Sequence, residues 1–141
     1  MLSLQSEAGQ PGPLVRPGRS LILLLLHGGE CGACLAYCQT VAADTAELAS
    51  WNCDLAVCVA AHRAHESQLP ISPLRFFYDA EGRVQQAAEA YAPALLVIDQ
   101  WRDIHEVYHA GDRHTFPKPS DLLSWARYLG TQCPECEGEA L

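Results

Sequence analysis

The chain has little positive charge. Nine lysines and arginines face seventeen aspartates and glutamates, for a formal net charge of -8. Nucleic acid and anionic membrane surfaces are recognised through clustered basic residues, and no run of five or more lysines and arginines occurs. Neither is therefore expected as a partner. The chain also lacks a long hydrophobic run. The apolar stretch Leu21 to Leu26 is far too short to cross a bilayer. Arg16 and Arg19 precede it, but it runs directly into His27-Gly28-Gly29-Glu30 with no small-residue cleavage site, unlike a secretory leader. These absences point to the cytoplasm, where thiols stay reduced. The length, 141 residues, suits one domain able to bury roughly two-thirds of its unfolded surface without covalent staples.

Against that background, seven cysteines are abundant, and the number is odd. A purely structural disulfide framework fits poorly; catalytic or metal-binding roles fit better. Four of the seven form two C-x-x-C pairs, Cys31/Cys34 and Cys133/Cys136, while Cys38, Cys53 and Cys58 stand alone.

Residues 1–18, rich in Gly, Pro, Ser and Gln, read as a flexible, irregular lead-in. Leu21 to Leu26 reads as a strand buried on both faces. Helical spacing follows from about Ala33 to Ser50, and Cys53 to Ala60 reads as a second buried strand, parallel to the first. Phe76-Phe77-Tyr78 is a short apolar step before a turn at Asp79 to Gly82, and Arg83 to Tyr91 is a plausible helix. Ala94 to Asp99 and Ile104 to His109 form an antiparallel hairpin across a short link. A last helix spans about Ser120 to Leu129, with Ser120 as N-cap and Gly130 closing it. The organisation is an arm (1–18), an α/β domain (19–130) and a tail (131–141) carrying the second cysteine pair.

A C-x-x-C pair where a buried strand meets a helix has a physical logic. The helix N-terminus carries partial positive charge and unpaired N–H groups, which favour a thiolate over a thiol. Cys31 is then the attacking nucleophile. Cys34, one turn on, resolves the mixed disulfide. Small Gly32 and Ala33 permit the tight turn. Glu30 opposes thiolate formation at Cys31 by like-charge repulsion, and His27 offsets it when protonated or serves as proton acceptor.

The strand LILLLL, the turn HGGE, the pair CGAC opening a helix, and Tyr91-Ala92-Pro93 leading into ALLVID together resemble the thioredoxin superfamily. Within it they resemble the redoxin branch that includes the alkyl hydroperoxide reductase/thiol-specific antioxidant family. The resemblance covers about residues 19–130. It implies a thioredoxin-like fold, a central mixed sheet of about four strands flanked by helices. It also implies that Pro93 is cis and faces the cysteine pair, with substrate docking at Ala92 and Pro93. Glu30 and Ala33 stand where thioredoxins commonly carry an aromatic residue and a proline, and Leu25 where they carry a buried acid. The places of the peroxiredoxin proline and threonine, counted back from Cys34, hold His27 and Cys31. Dithiol exchange is thereby favoured over a peroxiredoxin-like thiol peroxidase.

The expected function is thiol–disulfide exchange with a protein or small-molecule thiol or disulfide, and no cofactor. The second pair leaves several readings open: a second redox station, a partner for Cys31/Cys34 of another subunit in a homodimer, or zinc held between two tails. A four-cysteine zinc site within one chain is disfavoured because the pairs lie roughly a hundred residues apart, far beyond zinc-ribbon spacing. A non-catalytic zinc-binding or interaction module on a redoxin scaffold is the rival from another class. Cys38, Cys53 and Cys58 read as buried small hydrophobes. His62, His65, His105, His109 and His114 read as surface or loop residues, and Trp51, Trp101 and Trp125 as packing residues.

Overall fold

The computed structural model describes residues 3–6, 11–13, 15–26, 32–59, 74–79, 81–111 and 115–132. Its organising strand is β3 (Ser20–Leu26), in which all seven residues are buried. A strand with no polar face needs cover on both sides. Ile22, Leu24 and Leu26 point into one apolar cluster and Leu21, Leu23 and Leu25 into another on the opposite face. β4 (Cys53–Val59) runs parallel to β3, and β6 (Ala94–Ile98) lies antiparallel on its other side. β7 (Ile104–His109) pairs antiparallel with β6, as the short link requires.

Beyond β4 stands β5 (Arg75–Tyr78), parallel to it. The Phe76-Phe77-Tyr78 step is therefore a strand, and the mixed sheet between the helical layers has five strands, not four: β5-β4-β3-β6-β7. Four residues are too few for periodicity to declare a strand. Two more, β1 (Ser3–Ser6) and β2 (Pro11–Pro13), extend the sheet antiparallel beyond β5 and lie in the segment expected to be irregular. β2 reads Pro-Gly-Pro, and proline, with no N–H to donate, is tolerated at the edge position it occupies.

The long helix expected over Ala33–Ser50 is two: α1 (Gly32–Ala42) and α2 (Thr45–Ser50). The Thr45 hydroxyl donates to the Ala42 carbonyl at 2.8 Å, and the Asp44 carbonyl accepts the Leu48 N–H at 2.9 Å to open the second helix. A threonine that bonds locally competes with helix continuation. α3 (Arg83–Ala88) is shorter than expected because Glu89 turns left-handed (φ 53°). Its first N–H groups, those of Arg83 and Val84, donate to the buried Asp79 carboxylate at 3.0 and 2.7 Å. α4 (Pro119–Gly130) starts with Lys118, not Ser120, as N-cap, and the Asp121 carboxylate accepts the Lys118 N–H at 3.2 Å. Helices α1, α2 and α4 cover the Ile22/Leu24/Leu26 face, and Val84 of α3 packs on the other.

Gly130 fixes how α4 meets α2. A Cβ there would stand 2.7 Å from the Trp51 carbonyl oxygen, a backbone atom that cannot step aside. Gly130→Ala is expected to destabilise the fold by about 1–2 kcal/mol, because overpacking outweighs the helix-propensity gain of alanine. Thermal unfolding would show this as a melting temperature lower by about 3–8 °C.

Candidate functional site

Three parallel strands end together. By register Leu26 stands beside Val59, and Val59 beside Tyr78. β6 begins at that same edge, with Ala94 opposite Leu25, so Pro93 arrives level with Leu26. α1 starts here, its first residue being Gly32. Cys34, in its first turn, is fully buried, and Cys38, one turn further along, is fully buried as well. Cys31 immediately precedes Gly32 in sequence; both Cys31 and His27 lie outside the described residues, as do Cys133 and Cys136.

The Ala92–Pro93 bond is cis, as the resemblance implied. Its turn is anchored on both sides. The Ala92 N–H donates to Gln85 Oε1 at 2.7 Å, and the Pro93 carbonyl accepts the Ala110 N–H at 3.0 Å. Next to it Tyr91 is 73 % exposed, the most solvent-accessible large hydrophobic side chain among the described residues. On the other flank, Tyr37 of α1 stacks on Phe116 (centroids 4.4 Å apart) and donates its hydroxyl to the Pro117 carbonyl at 2.7 Å, tying α1 to the entrance of α4.

The lone thiols differ in kind from a helix-terminal cysteine. Burial pushes Cys38 and Cys58 up to about 12 and Cys53 to about 11; the charge of Asp79 adds to the effect at Cys58. At pH 8 such groups hold about one thiolate in a thousand or fewer. Brief treatment of the folded, reduced protein with iodoacetamide is therefore expected to leave Cys38, Cys53 and Cys58 unmodified, with all three reacting after denaturation; peptide mass mapping reads the difference. No group of three or more His, Cys, Asp or Glu residues among those described is arranged to hold a metal ion.

α4 runs from this edge to the other end of the sheet. Gln132 there shares a cleft with Gly18, Ser20 and Asn52, beside the start of β3. Cys133 thus follows a residue at the sheet's far end.

One cluster escaped the sequence reading. A register irregularity between β6 and β7 leaves His105 as an extra residue between Ile104, opposite Ile98, and Glu106, opposite Val97. Such a bulge re-aims a side chain. His105 meets Trp125 and Tyr128 of α4, with ring centroids 6.1 and 6.3 Å away, and its Nε2 lies 2.8 Å from the buried Asp99 carboxylate. In a regular strand His105 and Tyr108 face opposite sides, so only the bulge brings them to one groove. The spacing of Asp121, Ser124, Trp125 and Tyr128 along one face of α4 was the available signal.

No family model matches the chain, and no curated protein is significantly similar to it in sequence. Solved structures do match. The pneumococcal exposed lipoprotein thioredoxin Etrx1 from Streptococcus pneumoniae superposes with a TM-score of 0.73 at 16 % identity, over 91 % of this chain and 98 % of that one. The fold is thioredoxin-like. A peroxiredoxin-like protein from Aquifex aeolicus (TM-score 0.72, 12 % identity, 91 % of this chain and 82 % of that one) has the same thioredoxin-like architecture. So does the peroxidoxin BcpB from Mycobacterium tuberculosis (0.71, 16 %, 91 % and 92 %). The thioredoxin-like fold of this chain thus sits among redoxin as well as thioredoxin structures. None of the described helices is long and apolar enough to cross a membrane.

Proposed function

We propose that the chain is a thiol–disulfide oxidoreductase using Cys31 and Cys34. The observation that carries this reading is the placement of α1. The helix begins at Gly32, at the shared end of β3, β4 and β5, with Cys34 buried in its first turn and Pro93 level with the end of β3. A cysteine just before a helix start is where the helix dipole favours a thiolate. A fully buried cysteine three residues later is closed to outside disulfides and suits an intramolecular step.

The chemistry follows. The Cys31 thiolate attacks one sulfur of a substrate disulfide docked beside Ala92 and Pro93. A Cys31–substrate disulfide forms, and the other substrate sulfur leaves as a thiolate that takes up a proton. Cys34 then gives up its proton, with His27 as the assigned acceptor, and attacks Cys31 Sγ. The Cys31–Cys34 disulfide forms and the second substrate thiol is released. Two electrons pass from the dithiol to the substrate, and all of it is sulfur chemistry with no added cofactor. Run backwards, the same steps oxidise a substrate dithiol.

The position of Gln132 bears on the second pair. Cys136 reaches at most about 14 Å from Gln132 along an extended chain, whereas β3 alone spans about 20 Å. This favours Cys133/Cys136 meeting another chain, in a homodimer or a partner protein, over a zinc site shared with Cys31/Cys34 of the same chain.

A disulfide-reduction assay with glutathione disulfide and a protein disulfide, run beside a peroxide-consumption assay, tests the proposal. Catalysed disulfide reduction dependent on Cys31 supports it. Peroxide consumption without disulfide exchange would move the assignment to a thiol peroxidase, and stoichiometric zinc retained until thiols are blocked would move it to a structural metal site.

A further inference from the structure

A groove of about 400 Å³, open to solvent, lies between β7 and the outer face of α4 and is lined by His105, Tyr108, Asp121, Ser124, Trp125 and Tyr128. The proposed redox chemistry uses none of these residues. We propose that the groove is a recognition site for the guanidinium of an arginine side chain presented by a partner polypeptide.

The walls are set in place. Asp99 is 2 % exposed, and its carboxylate accepts the N–H groups of Trp101 and Asp103 at 2.8 and 3.0 Å while its second oxygen holds His105. The Trp125 indole N–H donates to the Tyr108 hydroxyl at 2.9 Å, locking those two rings together. His105, Trp125 and Tyr128 meet pairwise at 67°, 72° and 80°, three nearly perpendicular plates like the corner of a box. Rigid walls of this kind lose little freedom when a ligand enters.

Charge and shape select the occupant. The faces of Trp125, Tyr108 and Tyr128 carry negative quadrupoles that attract a cation within about 6 Å. Asp121 adds a carboxylate at the same wall, and no lysine or arginine is among the described lining residues. The chain as a whole is strongly acidic. A flat guanidinium stacks on a ring while its in-plane N–H groups reach a carboxylate or hydroxyl, a combination an ammonium does not match. The site is also unfilled from within. Tyr128 is 54 % exposed, although the inward side of the same helix is closed by Leu122, Ala126 and Leu129.

The test is a titration of the full, reduced chain with acetyl-Gly-Arg-Gly-amide, and with the same peptide carrying neutral citrulline, followed through the indole N–H resonance of Trp125 assigned with Trp125→Phe. The arginine peptide is expected to shift that resonance saturably and the citrulline peptide to leave it in place. Tyr128→Ala removes an exposed wall, and Asp121→Asn removes the charge while keeping an oxygen for the Lys118 N–H. Each is expected to weaken binding by about three- to thirtyfold, the range of one cation–π or charge-assisted contact. Equal shifts with citrulline, no saturable shift with either peptide, or unchanged affinity in Tyr128→Ala would overturn the proposal. So would a Trp125 shift that follows protein concentration without peptide, which would make the occupant a second copy of the chain.

Discussion

Cys31→Ser is expected to lower disulfide-reduction turnover by at least about a thousandfold, since removing a covalent nucleophile removes the step through which all flux passes. Cys34→Ser behaves differently. It leaves the first attack intact and blocks the second, so the variant is expected to accumulate a mixed disulfide with substrate and complete no turnover without an external thiol. The two variants together separate roles that a single activity loss does not. Mass spectrometry of the products reads them directly: substrate attached in Cys34→Ser, none in Cys31→Ser. Adduct on Cys34 in the Cys31→Ser variant would reverse the assigned order, although the full burial of Cys34 argues against that outcome.

The second large effect lies at the opposite end of the sheet and concerns stability. Asp54, on β4, is almost wholly buried and ties three elements together. Its carboxylate accepts from Arg16 Nε at 2.7 Å and Arg19 Nε at 2.8 Å, both just before β3, and from Arg75 of β5 at 3.3 Å. Burial pushes this carboxyl up, but the hydrogen bonds and charges of Arg16 and Arg19 outweigh it and hold the group below the usual aspartate range. Asp54→Asn removes the negative charge that faces the guanidiniums of Arg16, Arg19 and Arg75. Removing one partner of a buried ion pair costs about 3–5 kcal/mol, and the arginines here are partly exposed and can resolvate, so about 2–3 kcal/mol is expected. The melting temperature should fall by about 5–10 °C at pH 7. A carboxyl with a lowered folded pKa stabilises above its unfolded value, near 3.9, and that contribution is lost as pH falls from there through the folded value. The difference between wild type and Asp54→Asn should thus be full at neutral pH and shrink below about pH 4. Denaturant melts across that range check it.

What could be read from the sequence follows from burial. β3, β4 and β6 are buried on both faces, so each appears as a mainly apolar run, with Ser20 at the start of β3 and Asp54 near the start of β4 as the polar exceptions. β7 was legible only through its hairpin with β6, because its own residues are mostly exposed. β5 and β1 were hidden by their length, four residues each, and the edge strand β2 by its glycine and prolines, residues that signal turns when no sheet is assumed. The split between α1 and α2 hangs on one threonine hydroxyl that apolar periodicity does not register.

The candidate site was legible in part for the same kind of reason. C-x-x-C after a buried strand placed Cys34 at a helix start, and the structure adds what spacing does not carry: its complete burial and the alignment of Pro93 with the end of β3. The anchoring of the Ala92–Pro93 turn by Gln85 is a contact between α3 and the loop that no local pattern announces. The aromatic groove was invisible because it depends on a single bulge that turns His105 toward α4.

The account rests on Cys31 and Cys34 forming a reversible disulfide. The most direct measurement is the intact mass of metal-free protein equilibrated across a series of oxidised and reduced dithiothreitol mixtures, with the bonded pair located by peptide mapping. The account predicts a reversible loss of two hydrogens that maps to Cys31–Cys34. A protein that keeps both cysteines as thiols throughout, or that pairs Cys31 with no partner in its own chain, would contradict it.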